Sequence, residues 1–293
     1  MNSLSMDLEH TFFQLSDASL HALTAGDKGG DVLIFLHGFP EYCYGWHKQL
    51  PYFAGKGYYV VAPDQRGYNL SSKPAGVKSY TPEKLTADIV ELIGQLGKEK
   101  VVLVGHDWGG VVAWAIAMHH PYLLQKLVIL NMPHPGVMQQ HLRQNPRQML
   151  RSWYAAAIQI PVLPEIALQA LNYKLLAFAL TSTAQPNTFT GENLAAYREA
   201  WRQPGALSGM LNWYRAFKYT GLNLKRNVEV PTLMLWGKKD AALGAEMAEP
   251  SIAKCTTGKL IFLKDATHWL HHEQPEQVNQ EILAFLEAGG QKP

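Results

Sequence analysis

An aspartate sits between two glycines in the segment Val101-Val-Leu-Val-Gly-His-Asp-Trp-Gly-Gly110. The segment reads as a strand running into a tight turn and then a helix that begins near Trp108. Such a turn can present a nucleophile. A strained backbone lifts the side chain clear, and small residues two positions either side, Gly105 and Gly109, let strand and helix approach closely. A carboxylate placed there is able to attack an electrophilic carbon, since its unperturbed pKa of about 3.9 leaves it ionised at neutral pH. Taken alone, the turn also suits an aspartate that merely caps the following helix.

Other reactive groups also follow apolar runs. His37-Gly38-Phe39-Pro40 comes after Val32–Leu36, where a tight turn would aim a backbone N–H into the crevice at the carboxyl ends of the strands; a plain β-turn is the simpler reading. Trp236-Gly-Lys-Lys-Asp240 puts an acid after a later run, and Asp265-Ala-Thr-His268-Trp269 puts a histidine after the next. The chain order is nucleophile, acid, histidine. The interval from Asp107 to Asp240 is long enough to hold an insertion, and His268 follows Asp240 by 28 residues.

The elements that must position these groups are legible as short β-branched runs at Val32–Leu36, Tyr58–Ala62, Val101–Val104, Leu127–Leu130, Thr232–Trp236 and Lys259–Leu263. Helical spacing separates most of them, at Thr81–Leu96, Trp108–His119 and Pro275–Glu287, with Pro82 placed in a first turn where its missing N–H costs little. Runs apolar at nearly every position suit strands covered on both faces, so the pattern predicts an α/β fold with a mostly parallel central sheet flanked by helices. Between Asn131 and Asn227 no strand pattern occurs. Leu, Ala, Trp and Tyr recur there at helical spacing, broken at Pro161, Pro164, Pro186 and Pro204. This predicts a core from residues 1–132 and 228–293 with an inserted helical cap, or lid, at 133–227.

Composition narrows the function. With 47% hydrophobic and 17% charged residues in 293, the chain can bury a core, and its longest apolar runs are too short to span a bilayer. A net charge of +2, with both signs interspersed, gives no basic stripe for nucleic acid. The first thirty residues carry no basic segment followed by an apolar run, so no secretory leader is expected and the cytoplasm is the expected location. Cys43 and Cys255 lack zinc-site spacing and suit packing as reduced thiols. His119-His120 and His271-His272 lack the i, i+4 spacing with glutamate of a zinc site and read as solvated helix ends. His106 reads as a local packing or hydrogen-bonding residue of the turn. Gly26, Gly29 and Gly30 lack the context of a phosphate loop. No metal or cofactor is expected.

Over nearly its full length the chain resembles the soluble epoxide hydrolases of the α/β-hydrolase superfamily. The resemblance is carried by His37-Gly-Phe-Pro-Glu41, Asp64-Gln-Arg-Gly-Tyr-Asn-Leu-Ser71, Gly105-His-Asp-Trp-Gly-Gly110, Asn131-Met-Pro-His-Pro135, Asn212-Trp-Tyr-Arg215, Trp236-Gly-Lys-Lys-Asp240 and His268-Trp269. It implies Asp107 as nucleophile, Asp240 and His268 as the acid–histidine pair, and Tyr154 and Tyr214 as cap tyrosines; Asp240 is then preferred over Asp265 as the partner of His268. Tyr173, Tyr197 and Tyr219 are further cap tyrosines that could fill that role. The implied partners are a small-molecule epoxide and water.

The chemistry suits these types. Attack at a saturated carbon by serine would leave an ether the enzyme could not cleave, whereas a carboxylate leaves an ester. His268, oriented by Asp240, would then deprotonate a water that attacks this ester. The backbone N–H groups of Phe39 and Trp108 would meet the oxyanion, each such donor being worth roughly 3 to 4 kcal/mol. A neutral phenol, of unperturbed pKa about 10, can protonate the alkoxide from ring opening. A haloalkane dehalogenase would use the same aspartate but would have no task for the cap tyrosines. A noncatalytic receptor on this fold would have no need of an intact acid and histidine.

Overall fold

The computed structural model describes residues 8–288; of the leader reading, residues 1–7 lie outside this range. Among the described residues eight strands form one sheet: β1 (Glu9–Gln14), β2 (Ser19–Ala25), β3 (Val32–Leu36), β4 (Tyr59–Pro63), β5 (Val101–His106), β6 (Leu124–Leu130), β7 (Thr232–Gly237) and β8 (Gly258–Leu263). Twelve α-helices accompany them. They are α1 (Gln49–Ala54), α2 (Pro82–Gln95), α3 (Trp108–His119), α4 (Pro135–Gln144), α5 (Pro146–Arg151), α6 (Trp153–Ala157), α7 (Leu163–Thr183), α8 (Gly191–Arg202), α9 (Ala206–Ala216), α10 (Ala248–Ile252), α11 (Leu270–Glu273) and α12 (Pro275–Glu287).

The strand order is β1-β2-β4-β3-β5-β6-β7-β8. From β4 to β8 all pairings are parallel, and β3, β4, β5 and β7 are buried at every position. Alternate residues feed two cores. Ile34, Leu36 and Leu103 pack with α2 and α3, while Leu33, Phe35, Val102 and Val104 pack with α1 and α12 on the other face. The fold is therefore an α/β-hydrolase sheet between two helical layers.

One edge departs from the sequence expectation. β1 and β2 are antiparallel strands before Val32, where the apolar pattern gave no strand. β1 buries only Phe13, so its pattern is weak. β2 carries the buried His21, whose ring bonds Asp64 at 2.6 Å, and that partner lies 43 residues away. The sheet is mostly parallel, with an antiparallel pair at one edge.

The order of strands across the sheet reverses at β3, whose parallel neighbours are β4 on one side and β5 on the other. Such a switch point opens a crevice at the carboxyl ends of the two strands. His37 and Asp107 immediately follow those ends, Asp240 follows β7, and His268 follows β8.

Between β6 and β7 the named elements are helical, α4 to α9. Pro161, Pro186 and Pro204 fall between helices and Pro164 in the first turn of α7. A break without proline also occurs: Leu171, Asn172 and Tyr173 have φ of 51, 58 and 59°, so α7 is two helical pieces. Two anchors hold α9. The Trp213 indole N–H donates to the Arg66 carbonyl at 2.9 Å, and Arg66 forms two bonds to Asp88 at 2.7 and 2.6 Å. On the other side Arg215 donates to the carbonyls of Ile158 and Ile160, both at 2.9 Å, and pairs with Glu165. Asp88→Ala would remove the two-bond partner of the buried Arg66 and leave it only Asp17 at 3.1 Å and the Ser79 carbonyl at 3.3 Å, and is expected to cost about 1.5–3 kcal/mol in urea unfolding.

Candidate active site

Asp107 turns the chain from β5 into α3 with φ 50° and ψ −125°, a conformation that costs a non-glycine residue about 1–3 kcal/mol. Its surroundings enforce the turn. A β-carbon at Gly109 would lie 2.2 Å from the Leu36 carbonyl oxygen, and one at Gly38 would lie 2.3 Å from Asp107 Cβ. The Asp107 side chain makes no capping bond to α3. Its Oδ1 instead accepts the Phe39 N–H at 2.9 Å. Trp108 opens α3, where the first N–H groups lack intrahelical acceptors.

His268 Nε2 lies 3.6 Å from Asp107 Oδ2, and its Nδ1 bonds Asp240 Oδ2 at 2.7 Å. Asp240 is held on every side: Oδ2 also accepts from Asn131 Nδ2 at 2.6 Å, and Oδ1 accepts the N–H groups of Ala242 and Leu243 at 2.8 and 2.9 Å. Burial alone would raise the Asp240 carboxyl, but His268 and Asn131 outweigh it and hold it below the usual range. Burial would likewise lower the His268 ring; the charges of Asp240 and Asp107 overcome it and push the ring up to about 9. Asp265 is exposed and pairs with Lys239 at 2.9 Å.

Tyr154 on α6 and Tyr214 on α9 meet edge to face with ring centroids 6.0 Å apart. Tyr214 also packs edge-on against Trp108 at 4.8 Å and Phe39 at 5.4 Å. Burial raises both phenols well above their usual range, and the Asp107 charge adds to it, so both remain neutral donors. Gln159 Nε2 donates to the Tyr214 carbonyl at 3.2 Å and ties the end of α6 to α9. The other three tyrosines between β6 and β7 go elsewhere. Tyr173 packs on Trp201, Tyr197 donates to Glu41 Oε1 at 2.7 Å, and Tyr219 is exposed beside Lys78 and Lys218.

His271 and His272 are buried, which corrects the solvated reading of that pair. They close around Glu41, whose Oε1 lies 2.6 Å from His272 Nε2 and whose Oε2 lies 3.3 Å from both His271 Nε2 and His106 Nδ1. Burial would raise Glu41, but His272 and His271 outweigh it and hold the carboxyl well below the usual range. His106 donates from Nε2 to the His268 carbonyl at 2.9 Å, so the cluster braces the loop carrying His268. Glu41 and Asn131 carry no local signal of a site role; both stand in segments that follow strands, and only folding brings them to His106 and Asp240. Tyr68 is equally unmarked in the sequence: its buried hydroxyl has no partner among the described residues, and the Asp107 charge adds to burial in raising it.

Two groups have donor types suited to a metal, Glu41 with His271 and His272, and His21 with Cys43 and Asp64. In the second, Asp64 already takes His21, the Cys43 N–H at 3.0 Å and Asn69 at 2.8 Å. Cys43 is buried, as packing requires, whereas Cys255 is only half-buried. No helix among the described residues is long and apolar enough to cross a membrane.

Residues 31–275 match the family model described as the alpha/beta hydrolase fold. The chain is 41% identical to Epoxide hydrolase 4 of Mus musculus over 94% of this chain and 79% of that protein. The chain belongs to the epoxide hydrolase family of the α/β-hydrolase superfamily. It is also 45% identical to the AB hydrolase superfamily protein YfhM of Bacillus subtilis, over 94% of this chain and 96% of that protein. Among solved structures, the Bacillus megaterium epoxide hydrolase in complex with an inhibitor superposes with a TM-score of 0.87 at 30% identity, covering 94% of this chain and all of that one.

The raised His268 ring has a consequence for stability within this family fold. A basic group whose pKa rises on folding stabilises fully below its unfolded value and loses that contribution as pH climbs through the folded value. The His268 contribution is thus expected to be complete below pH 6.5 and lost as pH rises through about 9. Denaturant unfolding of the wild type and His268→Gln across that window should show the two stabilities converging as pH increases.

Proposed function

We propose that this protein hydrolyses epoxides to vicinal diols through a covalent alkyl ester on Asp107. One observation carries the reading: a carboxylate on a strained turn has a histidine 3.6 Å away and lies where its charge reaches two half-buried neutral phenols, Tyr154 and Tyr214. Asp107 attacks a ring carbon and the carbon–oxygen bond breaks. The freed oxygen takes a proton from Tyr154 or Tyr214.

Esterification removes the Asp107 charge. One of the three carboxylates that raise His268 is then neutral, so the ring falls from about 9 and becomes a competent base. It deprotonates water, which adds to the ester carbonyl. The Phe39 and Trp108 N–H groups hold the oxyanion until the diol leaves and Asp107 is restored. The tyrosinate regains its proton from the imidazolium or solvent. Asp240, fixed by Asn131 and two backbone N–H groups, keeps the ring oriented throughout.

In this reading residues 133–227 form the cap over a core of 1–132 and 228–293, supported by the position of α4–α9 between β6 and β7 and by the two tyrosines they contribute. The substrate partners are a small-molecule epoxide and water, with no cofactor.

Incubation with styrene oxide and, separately, a bromoalkane should give diol from the first and no bromide from the second. Bromide without diol would assign a dehalogenase; neither product would assign a binding protein. In a single turnover in heavy-oxygen water with enzyme in excess, the first diol should be unlabelled because its new oxygen comes from Asp107. His268→Gln should form the ester and stall, giving a burst of consumed epoxide equal to the enzyme present. Replacing both Tyr154 and Tyr214 by phenylalanine should slow ring opening by on the order of 10²–10⁴-fold, measured as the rate of ester formation.

A further inference from the structure

Among the described residues fifteen large apolar side chains are exposed, and eleven of them fall between Leu142 and Phe178. The second piece of α7 shows the pattern most clearly. Leu176, Ala177 and Leu180 are buried, whereas Leu175 and Phe178 are 51 and 65% exposed, and Leu171 in the break before them is 80% exposed. A helix apolar on both faces has one face left to cover. The inner face is already committed, with Tyr173 against Trp201. Since no described helix is long and apolar enough to cross a membrane, the missing partner covers the outer face without surrounding the helix.

Charge identifies that partner. No aspartate or glutamate occurs between Asp107 and Glu165, while Arg143, Arg147 and Arg151 recur every four residues among the exposed Leu142, Met149, Leu150 and Trp153. Lys174 is exposed on α7. The acids beside it are already paired: Glu165 with Arg215 at 2.5 Å, Glu246 with Arg151 at 4.0 Å, and Glu199 with Arg202, which bonds Asn172 of α7. A second copy whose arginine stretch lay on the two-fold axis would bring arginines against arginines. An anionic lipid surface answers both features, taking the apolar side chains into the acyl boundary and the arginines at its headgroups, with tryptophan at the interface.

We infer that the outer face of α4–α7 docks on an anionic membrane surface. This stands independently of the chemistry at Asp107. α6 exposes Trp153 while half-burying Tyr154, so the docked face adjoins the proposed proton donors.

The test is co-sedimentation of the full chain with vesicles of phosphatidylcholine alone or mixed with phosphatidylglycerol. The expected result is binding to the mixed vesicles, weaker binding to phosphatidylcholine, and release as salt rises. Two variants, L171Q/L175Q/F178Q and R143Q/R147Q/R151Q, should keep the wild-type circular dichroism and bind more weakly. Each arginine contributes about fivefold, so the triple arginine variant should lose on the order of a hundredfold. The proposal is overturned if the wild type stays in the supernatant with both vesicle types, or if both folded variants bind as well as it does. It is equally overturned if light scattering finds a dimer that L171Q/L175Q/F178Q dissolves and no vesicles are bound.

Discussion

The backbone of Asp107 is held at φ 50°, and the rest of the site is arranged around keeping it there. A non-glycine residue persists in such a conformation only when its neighbours leave it no alternative. Here α3 lies so close to the end of β3 that Gly109 has no room for a β-carbon beside Leu36, and the turn after β3 lies so close to Asp107 that Gly38 has none either. That contact also brings the Phe39 N–H onto Asp107 Oδ1. One close approach, between the ends of two adjacent parallel strands, thus aims the carboxylate and supplies it with a donor.

Electrostatics imposes the second layer of order. Asp107, Asp240 and Glu41 are all buried, and carboxylates out of water must find partners. Asp240 is met by Asn131, His268 and two backbone N–H groups; Glu41 is met by Tyr197 and His272, with His271 and His106 close by. Asp107 has one backbone donor and a histidine at 3.6 Å, which leaves it the least encumbered of the three. The proposed nucleophile is the carboxylate with coordination to spare. His106 links the two clusters, since it faces Glu41 on one side and holds the His268 carbonyl on the other.

The helical segment between β6 and β7 is positioned by a few buried polar bonds as well as by apolar packing. Trp213 on Arg66 and Arg215 on the Ile158 and Ile160 carbonyls bracket Tyr214 from both sides in sequence. These bonds fix α9 with respect to the core and to α6, so that Tyr154 and Tyr214 meet beside Trp108. The outer side of the same segment is not organised in this way. Its exposed leucines and arginines have few partners within the chain, and their chemistry is that of a surface awaiting one.

Much of the fold was legible because parallel strands buried on both faces must be apolar at every position, and the runs at Val32, Val101 and Thr232 say so without reference to anything else. The helix at Trp108–His119 was legible to the residue, because its turn chemistry is local. β1 and β2 were not, since β1 is mostly exposed and His21 in β2 becomes buriable only beside Asp64. The break in α7 was hidden too, as no proline or glycine marks it. By itself the sequence determined the six parallel strands, their order along the chain and the residue types at their ends, since these depend on near neighbours along the chain. Only the tertiary structure decided that Asp107 accepts a bond from Phe39 instead of capping its helix. It also brought Asp240 and not Asp265 to His268, as the resemblance implied, and it alone decided that His271 and His272 are buried on Glu41. Each of those outcomes depends on groups distant in sequence competing for one buried charge, and that competition exists only once the chain has folded.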